Sequence, residues 1–273
     1  MTRRTEFLER QASLVHETAL SVGDDSVRCF TAGPVGTSVV VLVTGPGRGA
    51  RSDAALLLPM LARRRRVAAI ELADLTDPWR DGARAVSAAL DQLGAQDAVL
   101  VGHSLGASVA ISTADSDPRV TALVLSAGWL RPTERLRALA RLWASLDDQQ
   151  RADLARVVAV RSLPELGPER TTPWGADSAV AALVAASARA DTTAAASRLR
   201  IPALVIGCTA DSVVGIEGAE ALLGAIDDAR YAEIESGHAV LAERPAELLA
   251  LVEHFLADPH RDPAGSVLPR MTV

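Results

Sequence analysis

The chain has 273 residues, of which 49% are hydrophobic and 3% are aromatic. This length fits one large α/β domain, or a core with an inserted subdomain, whose interior consists mainly of Ala, Val and Leu. A formal net charge of −6 provides no general attraction to nucleic acid or to an anionic membrane surface. All 28 basic residues are arginine and no lysine or asparagine occurs, a bias typical of a GC-rich bacterial genome.

The cysteines and the amino-terminal segment predict a cytoplasmic protein. Cys29 and Cys208 lie in apolar, strand-like stretches, where they are expected to be small buried hydrophobes rather than parts of a disulfide framework or a metal site. Arg3-Arg4 is not followed by the apolar segment of a signal peptide. The longest strongly apolar run, 39–43, is far too short to cross a bilayer.

Short apolar runs alternate with helical patterns along most of the chain, which predicts a mostly parallel sheet with helices on both faces. The first two candidate strands, 14–22 and 27–32, are joined through Gly23-Asp24-Asp25 and are expected to form an antiparallel hairpin. The later candidate strands are 39–43, 67–71, 98–101, 120–125, 203–208 and 231–234. The predicted helices are 53–64, 79–93, 104–113, 218–226 and 245–256.

Residues 129–198 interrupt this alternation. The segment is rich in Ala, Leu and Arg, and its leucine and valine spacing predicts three or four helices inserted between two strands. The predicted core therefore comprises 1–128 and 199–258. The last stretch, 259–273, contains three prolines and little apolar patterning, which predicts a mobile tail.

Ser104 is the first candidate catalytic residue. It lies in Gly102-His103-Ser104-Leu105-Gly106, directly after the apolar run Ala98–Val101 and before a helical pattern. This is the G-x-S-x-G nucleophile elbow in its strand-then-helix setting. The two glycines lack Cβ atoms, so the chain can turn sharply and hold a serine in a strained position.

A serine hydroxyl needs a positioned base, and the base needs an orienting acid. Of the five histidines, His238 is the best base candidate, because it follows a predicted strand and precedes a helix, on the same sheet edge as Ser104. Asp211 follows the strand 203–208 and is the best acid candidate. Asp227 and Asp228 lie in a later turn and are weaker candidates. The chain order Ser, Asp, His is the order found in α/β-hydrolases.

With these motifs the chain closely resembles the α/β-hydrolase superfamily, in its branch with a serine nucleophile and a helical cap, from about residue 14 to residue 256. The matching motifs are Gly102–Gly106, Thr209–Val214, and Ser236-Gly237-His238 followed by Glu243-Arg244-Pro245. The resemblance implies that 129–198 is a cap over the substrate pocket. The epoxide-hydrolase and dehalogenase branches are disfavoured, because they require aspartate where Ser104 stands.

One segment departs from the family pattern. Many members carry His-Gly where the first oxyanion donor is supplied, whereas this chain has Val43-Thr44-Gly45-Pro46-Gly47. Alignment on the Pro-Gly pair of the related His-Gly-x-Pro-Gly form places Gly45 at the donor position. The other register places Pro46 there, and proline has no N–H to donate. The second implied donor is the amide of Leu105, at the start of the elbow helix, where the helix dipole favours an anion.

Three tryptophans of the insertion, Trp129, Trp143 and Trp174, are candidates for lining an apolar substrate pocket, or alternatively for packing within the cap. The leading hypothesis is a serine hydrolase that acts on an ester or thioester of a small to medium apolar acyl group, with no metal or organic cofactor. The alternative is a lyase, C–C hydrolase or cyclase of bacterial specialised metabolism on the same fold, and a third hypothesis is a ligand receptor. The expected partner is a small-molecule substrate, with no nucleic acid or membrane, and the protein is expected to be a monomer or homodimer.

Overall fold

A computed structural model describes residues 14–162 and 173–271 of the chain. Within this part of the chain, eight strands form one sheet in the order β1-β2-β4-β3-β5-β6-β7-β8. The strands β1 and β2 form the predicted antiparallel hairpin, β2 is antiparallel to β4, and the other neighbouring pairs are parallel. The strands are His16–Val22, Asp25–Ala32, Ser38–Val43, Arg66–Ile70, Asp97–His103, Val120–Ser126, Ala203–Cys208 and Ala229–Ile234. The predicted sheet is confirmed.

The helices α1 to α11 of the described residues are Ala50–Asp53, Leu57–Leu61, Pro78–Leu93, Leu105–Ser116, Glu134–Ser145, Asp148–Val158, Ser178–Ser187, Thr193–Arg198, Ile216–Ala225, Val240–Glu243 and Pro245–Ala257. The prediction of one helix over 53–64 is wrong, since two short helices, α1 and α2, occupy this region. Pro59 has no N–H for the carbonyl of Ala55, so it is tolerated only in the first turn of a helix, and α2 begins at Leu57.

The central strands are apolar on both faces because each face packs against helices. In β3, Val39, Val41 and Val43 belong to an apolar cluster that also contains residues of α3 and α4. Val40 and Leu42 belong to a second cluster, on the other face, with residues of α2 and α11. A parallel strand that is covered on both sides needs no polar alternation, which accounts for the unbroken apolar run at 39–43.

The helices α5 to α8 lie between β6 and β7, where the sequence predicts the inserted cap. Local side chains determine where three of them begin: Thr133, Asp147 and Asp177 each accept a hydrogen bond from a backbone N–H of the first turn. Residues 163–172, within the predicted cap, lie outside the described part. The cap boundaries at 129 and 198 stay predictions.

The carboxyl-terminal segment packs along the edge strand β8, in contrast to the mobile tail that the sequence predicts. The backbone N–H of Tyr231 donates to the carbonyl of Ser266, and the N–H of Leu268 donates to the carbonyl of Tyr231. Leu268 is buried. An edge strand has unpaired backbone groups, and the segment satisfies some of them here. Among the described residues, none of the helices has the length and apolar character needed to span a bilayer.

Candidate active site

Ser104 occupies a strained turn between β5 and α4, as the elbow motif predicts. Its φ of 57° and ψ of −125° are unusual for a residue with a side chain. A Cβ atom at Gly106 would lie 1.9 Å from the carbonyl oxygen of Val43, and one at Gly102 would lie 2.5 Å from the Cα of Ala107. Both positions therefore require glycine because backbone atoms approach them closely, and the turn holds Ser104 at the carboxyl end of the sheet.

Three side chains from different strand ends form one hydrogen-bond chain. The Oγ of Ser104 lies 2.8 Å from Nε2 of His238, and Nδ1 of His238 lies 2.7 Å from Oδ2 of Asp211. The other carboxylate oxygen of Asp211 accepts from the backbone N–H groups of Val213 at 2.8 Å and Val214 at 3.0 Å. Residues separated by up to 134 positions in the chain thus meet in the arrangement expected from the sequence.

The charge on Asp211 determines which imidazole nitrogen of His238 carries the proton. Burial opposes ionisation of Asp211, but the interactions with His238 and with the two backbone N–H groups outweigh it and lower the pKa of the carboxyl. An ionised carboxylate only accepts hydrogen bonds, so Nδ1 of His238 must be the protonated nitrogen. The unprotonated Nε2 is then free to accept the hydroxyl proton of Ser104.

A second histidine, His103, lies against the candidate base. Its ring centroid is 5.4 Å from that of His238, and its Nδ1 lies 3.3 Å from the hydroxyl of Ser126. Burial, with a further contribution from the charge of His238, lowers the pKa of His103 to about 3. His103 is therefore neutral near pH 7 and adds no positive charge beside the base. The sequence shows His103 only as one position of the elbow motif, and nothing in that motif predicts this ring contact.

Gly45 lies directly against the nucleophile. A Cβ atom at Gly45 would be 2.7 Å from the backbone nitrogen of Leu105 and 3.1 Å from Oγ of Ser104. Leu105 is the first residue of α4, and the amides of a first helical turn have no partner within the helix. The structure thus brings Gly45, Leu105 and Ser104 to one place, as the first of the two registers predicts.

The three candidate pocket tryptophans are all buried, but they occupy different positions. The ring centroid of Trp174 is 5.8 Å from that of His238, with the two planes nearly perpendicular. Trp143 lies behind it, with its centroid 5.5 Å from that of Trp174. The indole N–H of Trp129 donates to the carbonyl of Ala190 at 3.0 Å, so this residue ties the segment after β6 to the segment after α7. Of these three tryptophans in the described part of the chain, Trp174 is the one with a ring contact to His238.

Hydrogen bonds attach the cap to each of the loops that carry the candidate site. One reaches the Gly45 loop, one reaches the loop of Asp211, and one reaches the loop of His238. The donor and acceptor atoms are the N–H of Gly175 and carbonyl of Gly47 at 2.7 Å, the hydroxyl of Ser212 and carbonyl of Val158 at 2.7 Å, and the N–H of Ala239 and carbonyl of Ala159 at 2.7 Å.

Glu243 joins the cap to the loop of the candidate base. One of its carboxylate oxygens accepts from the backbone N–H of Gly237 at 2.6 Å. The other accepts from the N–H groups of Arg161 at 2.7 Å and Ser162 at 3.1 Å. Sequence reasoning noted Glu243 only as part of a family motif. A buried carboxylate with backbone partners has no periodic signal that could have assigned it this position.

The residues present do not indicate a metal centre. Within residues 14–162 and 173–271, no group of three or more His, Cys, Asp or Glu side chains is arranged to hold a metal ion. Burial raises the pKa of Cys29 to about 11 and that of Cys208 to about 12, so neither thiol is ionised near neutral pH. The reactive groups at this sheet edge are accordingly a hydroxyl, an imidazole and a carboxylate.

The sequence of the chain matches one protein family over most of its length. A family model described as the alpha/beta hydrolase family matches residues 27–251. The chain belongs to this family. A curated relative, pyrrolizixenacetamide deacetylase from Xenorhabdus hominickii, is 30% identical over 174 residues. This match covers 58% of the chain but only 64% of the deacetylase, which is less than two thirds of that protein.

Solved structures show the same fold at low sequence identity. An alpha/beta hydrolase enzyme from a Medee basin deep-sea metagenome library has a TM-score of 0.79 at 16% identity, over 90% of this chain and 99% of that one. The enol-lactonase from Burkholderia xenovorans LB400 has a TM-score of 0.78 at 20% identity, over 88% of this chain and all of the other. Together with the family match, these similarities confirm the predicted α/β-hydrolase fold.

Proposed function

We propose that the chain is a serine hydrolase that cleaves an ester or thioester of a small to medium apolar acyl group through a covalent acyl-enzyme. The observation that carries this proposal is the hydrogen-bond chain of Ser104, His238 and Asp211, with distances of 2.8 and 2.7 Å. The relative whose name describes deacetylation is consistent with acyl-group removal. A serine–histidine–carboxylate arrangement of this geometry performs nucleophilic acyl transfer.

In the first half of the reaction, Oγ of Ser104 attacks the acyl carbon while Nε2 of His238 takes the hydroxyl proton. The charge of Asp211 stabilises the imidazolium that forms. As the tetrahedral intermediate collapses, the bond from the acyl carbon to the leaving oxygen or sulfur breaks. His238 gives its proton to that leaving group, and the acyl group remains on Ser104.

The second half of the reaction repeats these steps with water as the nucleophile. Nε2 of His238 accepts a proton from water as its oxygen attacks the acyl carbon, and it then returns a proton to Oγ of Ser104 as the acid leaves. In both halves, we assign the stabilisation of the oxyanion to the backbone amides of Gly45 and Leu105. The contact of Gly45 with Ser104 supports this register over the one with Pro46 in that position.

The surroundings of Ser104 favour an apolar acyl group. Trp174 covers one side of His238, and Trp143 packs behind it. A large aromatic surface next to a nucleophile lowers the free energy of an apolar acyl chain more than that of a charged one. We further propose a cytoplasmic enzyme that acts as a monomer or homodimer on a small molecule and uses no cofactor.

The test measures hydrolysis of p-nitrophenyl esters of graded chain length, of acyl thioesters, and of a p-nitroacetanilide as an amide comparison. We expect Ser104→Ala to lower kcat by about 10⁶-fold, as for loss of a triad nucleophile in other hydrolases. Ser112→Ala, on the same helix, is the matched control and should leave kcat unchanged. A fluorophosphonate probe should modify the wild-type protein at Ser104. Conversion of a substrate that is undiminished in Ser104→Ala would exclude the acyl-enzyme and favour the lyase or cyclase alternative.

A further inference from the structure

The loop from β3 to α1, residues 44–49, brings Gly45 to the nucleophile. The buried carboxyl of Asp53 packs against residues 47 and 48 of this loop. Both oxygens of Asp53 accept from the backbone N–H of Arg48, at 3.2 and 3.1 Å. A Cβ atom at Gly47 would lie 1.9 Å from Oδ2 of Asp53, so the backbone of the loop rests against the carboxyl. The side chain of Asp53 is only 10% exposed.

A second carboxyl holds the end of the same loop. Oε2 of Glu71, just after β4, accepts from the backbone N–H of Ala50 at 2.8 Å. A Cβ atom at Gly49 would lie 2.8 Å from this oxygen. On the cap side, the carbonyl of Gly47 accepts from Gly175. The loop is therefore held on both sides within a few residues of Gly45. Its position depends on the carboxyls of Asp53 and Glu71 and on the N–H of Gly175.

We propose that Asp53 is a positioning residue that sets the place of the Gly45 amide through its contacts with Arg48 and Gly47. This inference rests on the proposed function, since it assumes that the Gly45 amide binds the oxyanion. Asp53 itself does not touch the reacting atoms. A donor that is displaced by a fraction of an ångström stabilises the transition state less, because the hydrogen bond to the oxyanion depends steeply on geometry.

The ionisation of Asp53 makes this contact dependent on pH. Burial raises the pKa of Asp53 to about 7, an effect that the N–H and charge of Arg48 reduce and the charge of Glu71 increases. Other charges face this cluster: Arg28 of β2 lies 4.0 Å from Glu71 and also pairs with Asp74. On the helix of Asp53, Arg51 lies 3.9 Å from Glu17.

An ionised carboxylate accepts a hydrogen bond from Arg48 more strongly than a protonated carboxyl does. The loop is therefore held more firmly above pH 7 than below it. In Asp53→Asn, the side chain keeps its volume and one acceptor oxygen but cannot ionise, so it resembles the protonated form at every pH. The ratio of wild-type to variant kcat should accordingly rise with pH, with a midpoint near pH 7.

The experiment compares kcat and KM of wild type and Asp53→Asn between pH 5.5 and 8.5. We expect the variant to lose about tenfold in kcat at pH 8.5, less than the about 10²–10³-fold loss that follows removal of a whole oxyanion donor. KM should be nearly unchanged, and the two kcat values should converge at pH 5.5. Any titration that is common to both proteins cancels in the ratio. Asp91→Asn, an exposed carboxylate of α3, is the control and should give a ratio of one throughout.

A constant kcat ratio at all pH values, or an effect confined to KM, would show a structural role only and would overturn the proposal. A second measurement needs neither activity nor a folded variant: the amide NMR signals of Gly45 and Arg48 in the wild type, followed over the same pH range. Both signals should titrate together near pH 7, and a Gly45 signal that does not move would also overturn the proposal. Failure of the proposed function would appear separately, as turnover or probe labelling that does not depend on Ser104.

Discussion

The sheet edge that carries the hydrogen-bond chain and the cap above it are built in different ways. At the sheet edge, backbone atoms approach positions 102 and 106 so closely that only glycine fits there. Between them, Ser104 has a strained backbone conformation. The helices α5 to α8 instead reach the core loops through individual hydrogen bonds near their ends, such as the one between the carbonyl of Val158, the last residue of α6, and the hydroxyl of Ser212.

The two regions should therefore respond differently to substitution, one through the chemical step and the other through the choice of substrate. A substitution at the sheet edge alters the position or charge of a reacting group, so it should appear in kcat. In the proposed function the cap forms a wall against the substrate, so a substitution there should appear mainly in KM. Residues that join the two regions, such as Glu243, should affect both.

The largest effect is expected at the acid of the hydrogen-bond chain. In Asp211→Asn, an uncharged amide replaces the carboxylate that fixes the proton on Nδ1 of His238 and stabilises the imidazolium. We expect kcat for the best ester to fall by about 10⁴-fold, as in the corresponding substitution of a serine protease, with little change in KM.

Asp227→Asn provides the matched control for this measurement. Asp227 is the weaker acid candidate of the sequence, and its side chain is 70% exposed in a pair with Arg200. The control should retain the wild-type kcat. Equal losses in the two variants, or full activity in Asp211→Asn, would show that the sheet edge does not perform the chemistry assigned to it.

An intermediate effect is expected where the two regions join. In Glu243→Gln, one acceptor oxygen becomes an NH₂ group that faces a backbone N–H, of either Gly237 or the cap residues 161 and 162. We expect the free energy of unfolding to fall by about 1–3 kcal/mol, the usual cost of an unsatisfied buried group. The kcat should also fall, because Gly237 precedes His238.

Urea unfolding and ester kinetics on the same samples measure both effects of Glu243→Gln. Glu247→Gln is the control, since Glu247 is a partly exposed carboxylate of α11 that lies 3.5 Å from Arg244. A loss of stability with unchanged kcat and KM would place Glu243 in the fold alone. No difference from Glu247→Gln would contradict the coupling of cap and core.

The same contrast explains which features of the structure the sequence could predict. The elbow, the acid and the base were predictable because each follows a recognisable strand, and parallel strands end at one sheet edge. The sequence alone therefore places Ser104, Asp211 and His238 together. The strand 39–43 was equally clear, since a strand buried on both faces reads as an unbroken apolar run.

The contacts of the cap, and the hydrogen bonds that hold the loops in place, were not predictable in this way. Helical periodicity shows which face of α5 or α6 is apolar, but not where the helix lies over the core. Nothing in the sequence distinguishes Trp129 from Trp174. In the structure, however, Trp129 donates a hydrogen bond to Ala190, whereas Trp174 lies against His238. The sequence predicts only that Asp53 begins a helix, because its contact with Arg48 forms only once the loop has folded.

The smallest effect is expected in the cap, at Trp174. In Trp174→Phe, a smaller ring retains part of the edge contact with His238 but leaves space where an apolar acyl chain would pack. An aromatic contact of this kind is worth about 0.5–1.5 kcal/mol, so KM for the longer esters should rise by about two- to tenfold while kcat for the acetyl ester stays near the wild-type value. Trp79→Phe, a partly buried tryptophan of α3 in the core, is the control and should leave the chain-length profile unchanged. The measurement is kcat and KM over the ester series. A large fall in kcat for every ester would mean that Trp174 orients His238 rather than the substrate. The division between a sheet edge that performs the chemistry and a cap that selects the substrate would then no longer hold.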